Sequence, residues 1–218
     1  MPFDFLKRKK PAQDGDAAAT AAPAAATPAG GGFPFEGMTE DWRLVGRMAI
    51  EGRLSDVLNK REPIPIDDVT WAPADSSDPL APAPGLRSID PYDLVIVLAS
   101  NESQPDRTAD QSSAHRVHKV SYEVALEAPP YRVIGTVFLY PGSEPDTLLQ
   151  RSADMFVAIV DASATIGARQ VGSGTYPTIL VNRQYLRGVE QVDLRTGERH
   201  VKLPGQSLGG TNWSDRAR

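Results

Sequence analysis

The chain has 218 residues and no cysteine, with 40% hydrophobic residues, 23% charged residues, 18 glycines and 19 prolines. This length can bury one sizeable core or two small ones. The absence of cysteine excludes disulfides, thiolate nucleophiles and cysteine-ligated metals, and it fits a cytoplasmic location. The net charge of −5 argues against a nucleic-acid partner, because an acidic protein repels phosphate backbones.

Residues 1–10, MPFDFLKRKK, form a basic and aromatic motif on an otherwise acidic chain. The aromatic side chains could enter an anionic membrane surface at its inner face, with each cation contributing about 1 kcal/mol. Alternatively, the motif could fill a groove on a protein partner, or the charge run could be solvated and have no role. The predicted binding residues are Phe3, Phe5, Leu6, Lys7, Arg8, Lys9 and Lys10.

A flexible, disordered N-terminal linker is predicted over residues 11–37. Its Ala, Pro, Gly and Thr residues offer almost nothing to bury, so they cannot offset the entropy lost when the chain becomes ordered. The same reasoning predicts a flexible tail at residues 203–218, which are rich in glycine and polar residues. The folded part is therefore expected between these segments.

The folded part is predicted to consist of two consecutive β units, residues 38–114 and 115–202, or of one composite domain built from both. In each unit, a strand with a central glycine leads into a short helix, a second strand, a loop and a buried strand. The glycine predicts a bulge or a close backbone approach. In the first unit, these elements are predicted at residues 42–50, 52–58, 64–70, 72–91 and 92–99.

In the second unit, the equivalent elements are predicted at residues 131–140, 142–148, 155–163, 164–175 and 178–181. A long alternating strand at 115–128 precedes them, and EAPPYR turns this strand back into 131–140. Further strands are predicted at 186–194 and 198–202. Ser55 and Ser143 are the predicted N-caps of the two short helices.

Four sequence blocks recur in the same order in the two units. Residues 42–46, WRLVG, match residues 131–135, YRVIG, at an offset of 89 residues (131 minus 42). The other pairs are GRLSDVL (52–58) with GSEPDTL (142–148), IPIDDVT (64–70) with VAIVDAS (157–163), and YDLVIV (92–97) with YPTILV (176–181).

This recurrence favours an internal duplication over two generic strand–turn–helix passages with similar patterns. The predicted fold is mainly β, with tandem small antiparallel sheets or barrels, each with one short helix, related by pseudo-twofold symmetry. A parallel sheet would need longer helical crossovers than the chain offers.

Residues 52–59, GRLSDVLN, and residues 179–192, ILVNRQYLRGVEQV, together resemble two signature stretches of a bacterial β-rich domain family of unknown function. The resemblance covers most of residues 41–194, once per unit, and it implies a fold but no activity. The first signature is degraded at 142–149 and the second at 95–102. This complementary loss is the pattern expected of a duplicated domain whose copies have drifted.

The histidines and serines do not form a recognisable catalytic or metal-binding pattern. His115 and His118 are three residues apart on a predicted strand, so their side chains point to opposite faces and cannot share a metal; His200 is separate. GSGT (172–175) has neither the strand–helix context of a nucleophilic serine nor the Lys-Ser/Thr of a phosphate-binding loop. We therefore expect no enzymatic activity, metal or cofactor.

Residues 181–186, VNRQYL, are predicted to form a hairpin tip. In a binding role, Arg183 would fork onto a carboxylate or phosphate and Tyr185 would form an aromatic wall. In a structural role, which the pattern favours, Asn182 would adopt left-handed turn geometry and Tyr185 would cover the edge of the core.

The leading functional hypothesis is a non-enzymatic interaction or adaptor module, with a β-rich body tethered to an N-terminal docking motif. Its expected partner is a protein or an anionic membrane surface. One alternative is a ligand-binding or enzymatic β domain with a site between the units, near Arg183 and Tyr185. Another is a self-assembling structural protein, a homo-oligomer whose sheet edges pair between chains.

Overall fold

A computed structural model describes residues 32–100, 119–150 and 154–193. Several predicted features lie outside the described residues: the motif at 1–10, most of the linker, the strand at 198–202 and the tail at 203–218. The same is true of the histidines, namely His115, His118 and His200. Among the described residues, no helix has the length and apolar character needed to cross a membrane.

The strands of the described chain join in an 11-stranded antiparallel sheet, so the predicted mainly β class is confirmed. In residues 32–100, 119–150 and 154–193, helical structure is limited to one α-helix, α1 (Leu54–Asn59), and 3-10 turns at Pro91–Asp93 and Pro145–Leu149. The strands are β1 (Phe33–Met38), β2 (Trp42–Met48), β3 (Ile64–Pro73), β4 (Ala81–Pro82), β5 (Ser88–Ile89), β6 (Ile96–Ala99), β7 (Val120–Ala128), β8 (Tyr131–Leu139), β9 (Phe156–Ile166), β10 (Arg169–Asn182) and β11 (Gly188–Gln191).

The sheet order contains the same sequence of strands twice. It runs β11-β7-β8-β9-β10 and then β6-β1-β2-β3-β4, with β5 also paired to β3. We call β1–β6 the first half and β7–β11 the second half. In each half, the strand that comes last in the sequence, β11 or β6, therefore lies beside the hairpin formed by the first two strands of that half.

Residue pairing is also equivalent in the two halves. Gly37 faces Leu44 in the first hairpin, and Leu126 faces Val133 in the second, at the offset of 89 seen in the sequence (126 minus 37, and 133 minus 44). This equivalence concerns strand order and register. That a duplication produced it stays a prediction.

Both halves carry the same bulge at the predicted glycine. The register of β2 with β3 shifts at Gly46, and that of β8 with β9 shifts at Gly135. The extra residue on the facing strand is an aspartate with positive φ, Asp68 at 53° and Asp161 at 49°. Aspartate tolerates this left-handed conformation better than most residues. The predicted bulge or close approach at each glycine is therefore confirmed.

Two hydrophobic cores lie on opposite faces of the sheet where β6 and β10 pair. Ile96 and Leu98 belong to the core of the second half, whereas Val97 and Ala99 belong to the core of the first half. Alternate residues of a strand point to opposite faces, so β6 serves both cores. This double burial is the reason why β6 is apolar at every position.

Equivalent strands of the two halves run in opposite directions. An odd number of antiparallel steps separates β11 from its equivalent β6. The two cores also face opposite sides of the sheet.

The fourth predicted sequence correspondence is wrong. Residues 92–97 and 176–181 are not equivalent positions, because β6 and β10 are neighbours that pair directly, with Val97 opposite Leu180. Residues 94–97 and 179–181 share an apolar pattern because they lie at the buried centre of the sheet. The equivalent of β6 is β11.

Two segments predicted to be irregular are strands. Residues 33–37 belong to the predicted linker, but they form most of β1, in which Phe35 is 2% exposed. The predicted loop at 164–175 is instead a hairpin, since β9 extends to Ile166 and β10 begins at Arg169. Glycines at 167, 172 and 174, all with positive φ, make its turn and irregular pairing.

The predicted helix caps are also wrong. Arg53 precedes α1 and Glu144 precedes the 3-10 turn, and neither side chain makes a capping hydrogen bond. The second short helix is a 3-10 turn, Pro145–Leu149. These short elements are held by packing instead, through the buried Leu54, Leu58 and Leu148.

We predict that Gly46→Ala and Gly135→Ala each lower the free energy of unfolding by about 1–3 kcal/mol, because a new methyl group overpacks the bulge. The added carbon would lie 2.9 Å from the Asp67 carbonyl oxygen at the first site and 2.8 Å from the Ala162 Cβ at the second. Urea unfolding would measure the change. Gly85→Ala is the control, since nothing lies within 4 Å of its Cβ position; equal losses in all three variants would contradict the prediction.

Candidate functional site

The junction between the halves is built from β10 and β6. Residues 178–181 of β10 pair with residues 96–99 of β6, and these residues are apolar and buried except for the partly buried Thr178. Side chains of both cores fill the two faces of this pairing. The place where a ligand site between the units was predicted is therefore a packed seam.

Asn182 joins the two halves from the end of β10. Its side chain is 0% exposed, and its amide nitrogen donates to the Leu94 carbonyl at 2.9 Å. Its amide oxygen accepts from the Gln184 backbone N–H at 3.0 Å. Asn182 is not among the residues with positive φ, so the predicted left-handed turn is wrong. The asparagine is instead a buried strand residue that satisfies backbone groups of both halves.

Arg183 and Tyr185 follow Asn182 in the connection from β10 to β11. These strands do not pair with each other, so the predicted hairpin tip is wrong; the connection crosses to the far edge of the second half. Arg183 donates from Nη1 to the Gln150 carbonyl at 3.4 Å, and the Tyr185 hydroxyl donates to the Tyr92 carbonyl at 3.1 Å.

Burial shifts the acid–base properties of both side chains. Desolvation lowers the pKa of the Arg183 guanidinium, opposed by the nearby Asp154. Desolvation raises the pKa of the Tyr185 hydroxyl, with further contributions from Glu40 and Asp93. Neither shift changes the charge of these groups at neutral pH, because arginine stays protonated and tyrosine stays neutral.

Tyr131 and Arg169 form a second connection between the halves. The buried Tyr131 hydroxyl donates to the Thr39 carbonyl at 2.6 Å, and Arg169 donates to the carbonyls of Ala74 and Ser76. Burial raises the pKa of the Tyr131 hydroxyl, and Asp41 adds to this effect. Polar side chains of the second half thus satisfy backbone carbonyls of the first.

The described residues offer little for catalysis or metal binding. Within residues 32–100, 119–150 and 154–193, no group of three or more acidic or histidine side chains could hold a metal ion. An open groove of about 210 Å³ lies beside α1, with Lys60, Glu51 and Glu62 on its rim. It has no buried polar group aimed into it that would orient a substrate.

An exposed aromatic pair is the most distinctive surface feature of the first half. Trp42 and Trp71 are each 40% exposed and stack with ring centroids 4.9 Å apart. They lie on β2 and β3, and Trp71 faces the two-residue strand β4. The sequence identifies Trp42 only as part of a recurring block and indicates no role for Trp71, because their contact depends on the register of β2 with β3.

The second half explains why this pair is exposed. Tyr131 and Ala164 occupy the positions equivalent to Trp42 and Trp71, and both are buried, at 1% and 0% exposure. Met38 and Ala74 of the first half belong to the same buried core as these two residues. Among the described residues, the first half has no following half to cover Trp42 and Trp71. We call these tryptophans and the outer edge of β4 and β5 the open-edge surface.

Comparison with protein-family models, with curated proteins and with solved structures found no match to this chain. The resemblance to a bacterial β-rich family therefore stays a prediction, and functional arguments rest on the geometry alone.

We predict that Asn182→Ala lowers the free energy of unfolding by about 1–3 kcal/mol, because it leaves the buried Leu94 carbonyl and Gln184 N–H without this partner. Chemical denaturation would measure the loss. Gln184→Ala, which removes an exposed amide side chain two positions away, should change stability by less than about 0.5 kcal/mol. Similar losses in both variants would contradict a role specific to Asn182.

We predict that Tyr131→Phe lowers stability by about 1 kcal/mol at neutral pH through loss of the hydrogen bond to Thr39. Since the folded-state pKa is raised, the native tyrosine contributes fully below its ordinary pKa of about 10, and this contribution is lost as pH rises further. The variant should therefore lose less stability than the native chain between about pH 9 and about pH 11.

Urea unfolding across this pH range tests the prediction. Tyr140→Phe, at a tyrosine that is 58% exposed, is the control and should leave stability at neutral pH unchanged. A variant at Tyr131 with the same alkaline loss as the native chain would exclude the proposed linkage.

Proposed function

We propose that this protein is a non-enzymatic, cytoplasmic interaction module. Its β-rich body binds a protein partner through the open-edge surface, and its N-terminal motif, residues 1–10, docks on a protein or an anionic membrane surface. The observation that carries the proposal is the exposed, stacked pair of Trp42 and Trp71.

Tryptophan pairs on a surface favour binding to another macromolecule. Tryptophan is enriched among residues that dominate binding energy, because its large ring buries much apolar area and loses little side-chain entropy. Stacking orders Trp42 and Trp71 before a partner arrives, which reduces the entropy lost on binding. Among the described strands, none pairs with the outer edge of β4 and β5, and a strand of a partner can bind at such an edge.

The alternative of a ligand-binding or enzymatic site between the halves has less support. Asn182, Arg183 and Tyr185 all donate to backbone carbonyls, and the seam beside them is packed with apolar side chains. A binding site would need polar groups that converge on a cavity.

The N-terminal motif contributes a separate prediction. Removing residues 1–10 should reduce sedimentation with vesicles that contain anionic phospholipid and leave sedimentation with zwitterionic vesicles unchanged. Truncations must end before Phe33, because a chain that began at Gly37 would lack most of β1. Unchanged vesicle binding and unchanged partner capture after the deletion would remove the motif from the proposal.

The open-edge surface contributes the other prediction. Trp42→Ser and Trp71→Ser should each weaken binding of a captured partner by about 30-fold, the equivalent of about 2 kcal/mol for a central aromatic residue. Binding would be measured by titration of the purified pair. Tyr140→Ser, at an exposed aromatic residue of the second half, is the matched control. Equal affinity in the tryptophan variants and the control would contradict the proposed surface.

A further inference from the structure

The internal junction provides a template for what could cover the open-edge surface. At this junction, residues 178–181 of β10 pair with residues 96–99 of β6, with Leu180 opposite Val97. The Tyr131 hydroxyl, at the equivalent of Trp42, donates to the Thr39 carbonyl across the same junction. One half therefore covers the exposed edge and the aromatic position of the other.

The free edge of the first half matches the edge that is used internally. Strands β4 and β5 together occupy the position of β10: Thr70 faces Pro82 as Ser163 faces Thr175, and Ile64 faces Ile89 as Val157 faces Val181. Because Ile89 corresponds to Val181, strand β5 (Ser88–Ile89) corresponds to residues 180–181 of β10. Ser88 is thus the equivalent of Leu180.

The opposite end of the sheet carries the complementary edge. Strand β11 occupies the position of β6, because Val189 faces Leu126 as Val97 faces Gly37. In the described chain, β11 pairs only with β7. The molecule therefore has a β10-like edge at one end and a β6-like edge at the other.

We propose that the partner of the open-edge surface is a second copy of this chain, bound through its β11 edge. This inference rests on the proposed function, because it names the partner of the same surface. The internal register carries over directly: Ser88 lies opposite Val189, and Arg87 lies opposite Glu190. The two chains continue one antiparallel sheet, head to tail.

Hydrogen-bond alternation supports this register. The Ile66 N–H donates to the Arg87 carbonyl and the Val192 N–H donates to the Glu123 carbonyl, so Ser88 and Val189 direct their backbone groups outward. These are the groups that Leu180 and Val97 exchange at the internal junction. The two outer edges therefore direct their backbone hydrogen-bonding groups outward at the residues that face each other in this register.

Charge complementarity supports the same register. Arg87 is exposed, and Glu190 lies on the edge strand, where its carboxylate is 4.0 Å from Arg132. Opposite charges directly across two antiparallel strands stabilise the pairing, and like charges oppose it. The equivalent internal positions, Ile179 and Leu98, are both apolar and both buried.

The surrounding surface also fits. The equivalent of Thr39 in the second half is Ala128, so Trp42 of one copy meets the turn at Ala128, Pro129 and Pro130 of the next, where the two prolines are exposed. Since the contact joins two different edges, each copy can bind a further copy at its other end.

The test compares Ser88→Pro with Ser88→Ala in the full chain by sedimentation velocity and light scattering. Protein concentrations extend to about 1 mM, at which even a contact with a Kd of about 1 mM gives substantial association. Proline removes the outward N–H without affecting the bonds of β5 to β3, whereas alanine keeps it. Native chain and Ser88→Ala should rise above the monomer mass of 23.5 kDa, and Ser88→Pro should stay at it.

Charge reversal keeps the proposal testable if Ser88→Pro does not fold. Arg87→Glu and Glu190→Lys each place like charges across the contact and should reduce association. Mixing the two variants restores an opposite-charge pair at every contact and should restore association to the native level. Reversed variants that associate as well as the native chain, or a mixture that stays dissociated, would overturn the register.

A native chain that is monomeric at every concentration would overturn self-association, and it is the result expected if the chain's own segments or a different protein cover the edges. If such a monomer still binds a partner in a manner dependent on Trp42 and Trp71, the proposed function stands. If it binds none, both proposals fail.

Discussion

The pairing of β6 with β10 is the constraint on which the rest of the structure depends. Both strands lie at the centre of the sheet, where one face of each belongs to the first core and the other to the second. Their four-residue contact is apolar apart from Thr178, and Asn182 follows it at the strand end, where its side-chain amide nitrogen and oxygen are both hydrogen-bonded. Each core is thus completed by strands of the other half, and neither half forms a separate body.

The two halves share strand order, register and bulge, yet they present different surfaces. The difference between these surfaces arises mainly at one position of the sheet. In the second half this position is filled by the continuous strand β10, and in the first half it is divided into β4 and β5. There the chain makes a turn, with Pro84 and Gly85 at its centre and a hydrogen bond from the Leu86 N–H to the Ala83 carbonyl. The continuous strand supports a buried junction. The divided one leaves an edge and exposes Trp42 and Trp71.

This contrast connects the architecture with the proposed function. Polar side chains near the junction, such as Tyr131 and Arg169, are used to hold the two halves together. The features left over for a partner are an aromatic pair, an open strand edge and the N-terminal motif. They favour recognition of another chain over the chemistry of a small ligand.

Local sequence patterns determined a substantial part of the fold. Strand alternation predicted the β class, and the central glycines predicted a bulge or close approach in both halves, because each depends on the period of a strand or on the missing Cβ of glycine. Tertiary structure alone decided the place of β6 and β10, since apolar runs do not identify their neighbours. It also made β1 from a glycine- and proline-containing segment, placed Asn182 in the junction and left the tryptophan pair exposed. These outcomes depend on which strands meet across the sheet, and pairing between distant segments is not encoded in any local pattern.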